Sequence, residues 1–127
     1  MGKLAELLHD DWKTEKHVPV IQIENGSPEA GQISIRLAVG DEIAHPNTTE
    51  HHIRWIELYF LPAGENFPYQ LGHYEFIAHG ASVGGPDSST VYSEPAARAI
   101  FSSEKAGTLI AKSYCNVHGL WTNEFEI

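Results

Sequence analysis

Ile53-Arg54-Trp55-Ile56-Glu57-Leu58-Tyr59-Phe60-Leu61, closed by Pro62-Ala63-Gly64, is the stretch on which the fold turns. It is rich in β-branched and aromatic residues. Ile56, Leu58 and Phe60 alternate onto one expected core face, and a Pro/Gly turn signal ends the run. It predicts a strand of a half-buried sheet. Further runs of the same kind lie on either side. Residues 18–24 are β-branched and bounded by Asn25-Gly26-Ser27-Pro28. Residues 32–39 place Ile33, Ile35, Leu37 and Val39 on one face and stop at Gly40-Asp41. Strands are also predicted over 72–81, 92–103, 108–114 and 120–127, and residues 3–9 predict one or two helical turns. That makes about seven short strands, with no helix between them to carry parallel crossovers. The expected fold is all-β, an antiparallel β-sandwich in one domain spanning residues 1–127.

Composition narrows the function. Seventeen acids against eight Lys and Arg give a formal charge of −9, which argues against nucleic-acid binding. It also means that an anionic substrate would need a local positive focus. The single cysteine excludes an internal disulfide. The N-terminus has acids within its short apolar stretch, and no run approaches the roughly 18 apolar residues of a membrane helix. The expected compartment is cytoplasmic, with no membrane partner.

Against that background five residues of metal-ligand type gather in three loop-like stretches. These are His17 in Glu15-Lys16-His17-Val18-Pro19, His45 and His51 in the long loop from Gly40 to His52, and Cys115 with His118 around a turn closed by Gly119. One thiolate with several imidazoles suits a redox-active transition metal better than a structural zinc, which usually takes several thiolates. Singly, each has a plainer reading: Cys115 as a buried structural cysteine, His17 and His45 as solvated loop residues. Their coexistence carries the signal. His51 and His52 alternate faces at a strand edge. His52 shares parity with Ile56, Leu58 and Phe60, and His51 with Ile53, Trp55 and Tyr59, so the residues alone leave open which of the two is a ligand. His9, His73 and His79 read as surface or strand residues.

Glu15-Lys16-His17-Val18-Pro19, then His45-Pro46-Asn47-Thr48-Thr49-Glu50-His51-His52-Ile53, then Cys115-Asn116-Val117-His118-Gly119-Leu120-Trp121 resemble, in this order and over nearly the whole chain, the superoxide reductases of the neelaredoxin type. These are related to the C-terminal domain of desulfoferrodoxin. The resemblance implies an immunoglobulin-like sandwich holding one non-haem iron. It makes His17, His45, His51 and His118 the equatorial imidazole ligands and Cys115 the axial thiolate. Glu15 matches the residue that can take the sixth position in the oxidised state, and Lys16 the cation beside the open site. His52 is not a ligand in that pattern. The four-cysteine iron domain of desulfoferrodoxin has no counterpart in a chain with one cysteine.

The implied activity is one-electron reduction of superoxide to hydrogen peroxide. No flavin or nucleotide fingerprint and no dithiol is present, so the electron must come from outside. The resemblance implies a rubredoxin-like iron–sulfur donor and a homotetramer. A blue-copper electron carrier is the nearest rival, but it typically uses a weak axial methionine, and the only methionine here is Met1. An immunoglobulin-like binding module with incidental histidines is the other. Metal analysis separates the three readings.

Overall fold

Alternation along β3 (Ile53–Pro62) becomes alternate burial: Ile56, Leu58 and Phe60 are buried while Glu57, Tyr59 and Leu61 are half-buried. In the computed structural model the described residues are 2–8 and 17–127. The remaining strands are β1 (Val20–Ser27), β2 (Gln32–Ala38), β4 (Tyr69–Glu75), β5 (Ala96–Phe101), β6 (Gly107–Cys115) and β7 (Gly119–Glu126), preceded by a short helix α1 (Lys3–Leu7). One sheet has the order β1-β2-β5 and the other β4-β3-β6-β7, every pair being antiparallel. The all-β architecture of seven antiparallel strands in two sheets is therefore as the sequence predicts. Ile33, Ile35 and Leu37 of β2 join Ile56 and Leu58 of β3 and Leu109 and Ala111 of β6 in a continuous buried core. Each fully buried aliphatic side chain contributes about 1.5–3 kcal/mol relative to exposure.

Three boundaries differ from the sequence reading, each for a physical reason. β1 continues through the predicted turn to Ser27, because a bulge between Ile23 and Asn25 lets Asn25 and Gly26 keep pairing with Ser34 and Ile33. β4 starts earlier and stops at Glu75. Beyond it Phe76 is buried, and residues 76–95 leave the sheet with only the isolated bridges His79–Tyr92 and Ser82–Gly85. β5 starts after Pro95, whose carbonyl accepts the Val39 N–H at 3.0 Å.

The irregularity that matters most is in β3 itself. Ile53 pairs with Cys115 and Trp55 with Tyr114, so Arg54 is an extra residue in the ladder. Ile53 and Ile56, of opposite parity, therefore both point inward, 2% and 0% exposed. The bulge makes parity counted back from β3 an unreliable guide to His51 and His52.

Candidate metal centre

Three pieces of backbone converge at one end of the sandwich. Alternate burial along β6 brings Leu109, Ala111, Ser113 and finally Cys115 to the core side. The turn 116–118 then carries His118 back toward the sulfur, and Gly119 closes it with φ +80, a conformation glycine adopts without a Cβ penalty. Two polar bonds fix the approach to β1. Buried Ser113 donates its hydroxyl to the His17 carbonyl at 3.1 Å, and Asn123 Nδ2 donates to the Pro19 carbonyl at 3.0 Å. The loop between β2 and β3 supplies the rest. Gly40, at φ +89, lies so close to His45 that a Cβ there would sit 2.7 Å from the His45 nitrogen.

Ligand-type atoms of His17, His45, His51 and Cys115 all lie within 4.8 Å of one another; His51 is half-buried and the other three are buried. The fifth candidate, His118, is exposed, yet its Nδ1 is 3.1 Å from His17 Nε2 and 3.8 Å from Cys115 Sγ. The four imidazoles form a closed ring. Centroid separations are 4.6 Å from His17 to His45, 4.9 Å to His51, 5.0 Å to His118 and 4.7 Å back to His17. The diagonal from His17 to His51 is 6.5 Å, longer than any side, as a four-sided array requires. Cys115, 0% exposed, reaches this array from the core.

Protonation states follow from the partners. His45 Nδ1 lies 2.6 Å from the Pro46 carbonyl, which can only accept, so Nδ1 carries a proton, and in the neutral imidazole the lone pair falls on Nε2. The amide of His118 donates to Cys115 Sγ at 3.3 Å. Such a bond tempers the charge a thiolate gives to a metal. Trp121 stacks on His17 at 4.8 Å and 14°, and its indole N–H donates to the His118 carbonyl at 3.2 Å. The sequence reading quoted Trp121 within a motif but assigned it no role.

His52 is committed elsewhere. Its Nδ1 donates to the Thr48 carbonyl at 2.8 Å, and its Nε2 accepts from Arg54 Nε at 3.2 Å. A neutral ring with both nitrogens engaged has no lone pair for a metal. It stacks on His79 at 3.5 Å and 7°. His79 is thus neither a surface nor a plain strand residue: it is 8% exposed, with Nε2 2.5 Å from the Phe76 carbonyl. Burial holds its imidazole below the usual histidine range, although the bond to Phe76 pulls the other way. His73 is bound between Glu57 and Glu75 on the outer face of the larger sheet. Asn116 joins the two ligand loops: Oδ1 accepts the His52 N–H at 2.8 Å and Nδ2 donates to the Glu50 carbonyl at 2.8 Å. Glu15, Lys16 and His9 lie outside the described residues.

His17, His45, His51 and Cys115 form a cluster that could hold a metal ion, with His118 beside it. The family model described as Desulfoferrodoxin matches residues 9–124. A superoxide reductase of Pyrococcus furiosus is 60% identical over 114 residues, covering 90% of this chain and 90% of its own. A neelaredoxin of Megalodesulfovibrio gigas is 47% identical over 111 residues, 87% of this chain and 85% of its own. Among solved structures, a superoxide reductase in the oxidised state superposes with a TM-score of 0.90 at 55% identity, covering 98% of each chain. The reduced superoxide reductase (neelaredoxin) of Archaeoglobus fulgidus also reaches 0.90 at 55% identity, covering 95% of this chain and 98% of its own. The chain belongs to the desulfoferrodoxin family. Its likeness to superoxide reductases and a neelaredoxin extends over nearly the whole chain.

Proposed function

We propose that this chain is a superoxide reductase that passes one electron to superoxide and, with uptake of two protons, yields hydrogen peroxide, at one iron held by His17, His45, His51, His118 and Cys115. The observation that carries this reading is the closed ring of four imidazoles with a buried sulfur on its core side. One thiolate with several imidazoles suits iron or copper, and the absence of a methionine other than Met1 disfavours the blue-copper set. When bound, iron would supply the electron and a coordination position for substrate.

The protein's own groups set the conditions. The Pro46 carbonyl orients His45, and the His118 amide moderates the sulfur. Trp121 covers the ring of His17. Neutral imidazoles, one thiolate and a ferrous ion sum to a local charge of about +1, a focus for an anion on a chain of net charge −9. Lys16 would add a second positive charge, and Glu15 would serve as a further ligand in the oxidised state. Both roles rest on the family pattern.

The electron comes from a small iron–sulfur donor of the rubredoxin kind, the assembly is a homotetramer, and residues 1–127 act as one domain. The compartment is cytoplasmic, where a lone cysteine stays reduced. No helix among the described residues is long and apolar enough to cross a membrane. The test is stoichiometry with the reduced, iron-loaded chain: one electron consumed per superoxide and peroxide formed without dioxygen supports a reductase. Equal yields of dioxygen and peroxide would show a dismutase instead.

A further inference from the structure

The loop from residue 39 to 52 carries two of the four imidazoles but pairs with no strand. A local turn, with the Thr48 N–H donating to the His51 carbonyl at 2.9 Å and the His51 N–H to the Thr48 hydroxyl at 3.1 Å, shapes one end, and the contacts that hold the loop from outside come largely from residues 76–95. Thr49, four residues after His45 and two before His51, is gripped through both its backbone N–H and its side-chain hydroxyl. Its N–H donates to Asp87 Oδ1 at 2.9 Å, and its hydroxyl oxygen accepts the Asp87 N–H at 3.0 Å. The same hydroxyl donates to the His79 carbonyl at 2.6 Å. Tyr92 fixes the carboxylate from behind, its hydroxyl donating to Asp87 Oδ1 at 3.1 Å. Two residues earlier Asn47 Nδ2 donates to the Ser93 carbonyl at 3.0 Å, and the loop's far end is stacked against His79 through His52.

Asp87 is the only non-glycine among the described residues with positive φ, at 51°. Aspartate tolerates that region better than most residues, and such conformations persist where their surroundings over-determine them, often beside functional sites. Here the reciprocal bonds with Thr49 supply the determination. The core does not: Asp87 is exposed, and from 77 to 95 only His79 and Gly80 are buried.

From this geometry we infer that Asp87 and Thr49 form a clasp of positioning residues that sets the spacing of His45 and His51 before a metal arrives. The inference rests on the metal-binding reading above and extends it to residues that no ligand touches. Partners bonded directly to ligating side chains typically change metal affinity 10–100-fold. A clasp acting through Thr49, which is not itself bonded to a ligating side chain, belongs at the low end, about 10-fold.

The test is titration of the metal-free full-length chain with cobalt(II) against a competing chelator, reading the dissociation constant and the sulfur-to-cobalt charge-transfer band. Asp87→Ala and Thr49→Val are expected to weaken binding about 10-fold and to shift the band. Asp87→Asn keeps an acceptor oxygen and the tolerance for positive φ, and is expected to restore both values toward the parent. Val83→Ser, in the same segment but outside the clasp, is the control and is expected to leave them unchanged. Because Asp87 is exposed, these variants keep the core; circular dichroism and the thermal midpoint of the metal-free chain monitor that. Affinities within twofold of the parent and an unmoved band would overturn the clasp, even with a lowered midpoint. A parent chain that bound no cobalt would overturn the clasp and the metal site together. A parent that bound it tightly but dismutated superoxide when iron-loaded would overturn only the proposed activity.

Discussion

The two loops that supply most of the candidate ligands are held in opposite ways. The turn from Cys115 to Gly119 is the tip of a hairpin whose strands pair without interruption from Thr108–Glu126 to Cys115–Gly119. Its geometry follows from register, and one glycine at positive φ completes it. The loop from residue 39 to 52 has no such ladder. It is held by close approach at Gly40, by Asn116 from the hairpin tip, and by Thr49 and Asn47 against residues 76–95. A hairpin fixes its ligands through local sequence, whereas this loop depends on side chains far away in the chain. The second arrangement has more places to break.

The largest expected effect lies within the loop, between neighbours. His51→Ala removes a proposed ligand and should weaken metal binding beyond the roughly 100-fold limit typical of outer partners. His52→Ala removes only a ring already bonded to Thr48 and Arg54, and should leave one metal per chain. Metal content after dialysis measures both, and equal losses would erase the distinction between them.

Glycine substitutions sharpen the contrast between the loops. Gly119→Ala meets open space and should cost only the positive-φ penalty, about 1–2 kcal/mol in urea denaturation. Gly40→Ala carries the same penalty and also drives a Cβ to 2.7 Å from His45 backbone. Overpacking of that kind adds about 1–3 kcal/mol, and here it displaces a ligand as well. Metal affinity should therefore fall in Gly40→Ala and hold in Gly119→Ala.

The smallest effect is expected away from both loops. Burial alone would raise the Glu57 carboxyl, but hydrogen bonds from Tyr59, His73 and Lys112 outweigh it and hold the pKa below the usual value. A carboxyl lowered on folding contributes stability above its unfolded pKa, near 4.5, and loses it as pH falls through the folded value. Glu57→Gln should flatten the acid limb of the stability–pH curve and leave metal binding near neutral pH unchanged.

What could be read from the sequence follows the same division. Alternation in β2, β3 and β6 is local and fixes the core, so the strand count and layer architecture were legible. The hairpin pair Cys115 and His118 was legible for the same reason. The choice between His51 and His52 was not, because the bulge at Arg54 breaks the parity on which a count along β3 depends. The family pattern chose His51, and the engaged nitrogens of His52 now give that choice a structural reason. The end of β4 was misplaced because Phe76 turns into the core and His79 turns inward for partners, Asn47 and His52, that lie more than twenty residues away. Trp121 on His17 is equally non-local, and no pattern near either residue announces it.

The account stands most directly on Cys115 as a proposed metal ligand. Visible spectroscopy of the oxidised, iron-loaded chain is the measurement. A sulfur-to-iron charge-transfer band should be present in the parent and absent from Cys115→Ser. An iron-loaded parent without that band, or a band that survives in Cys115→Ser, would contradict it.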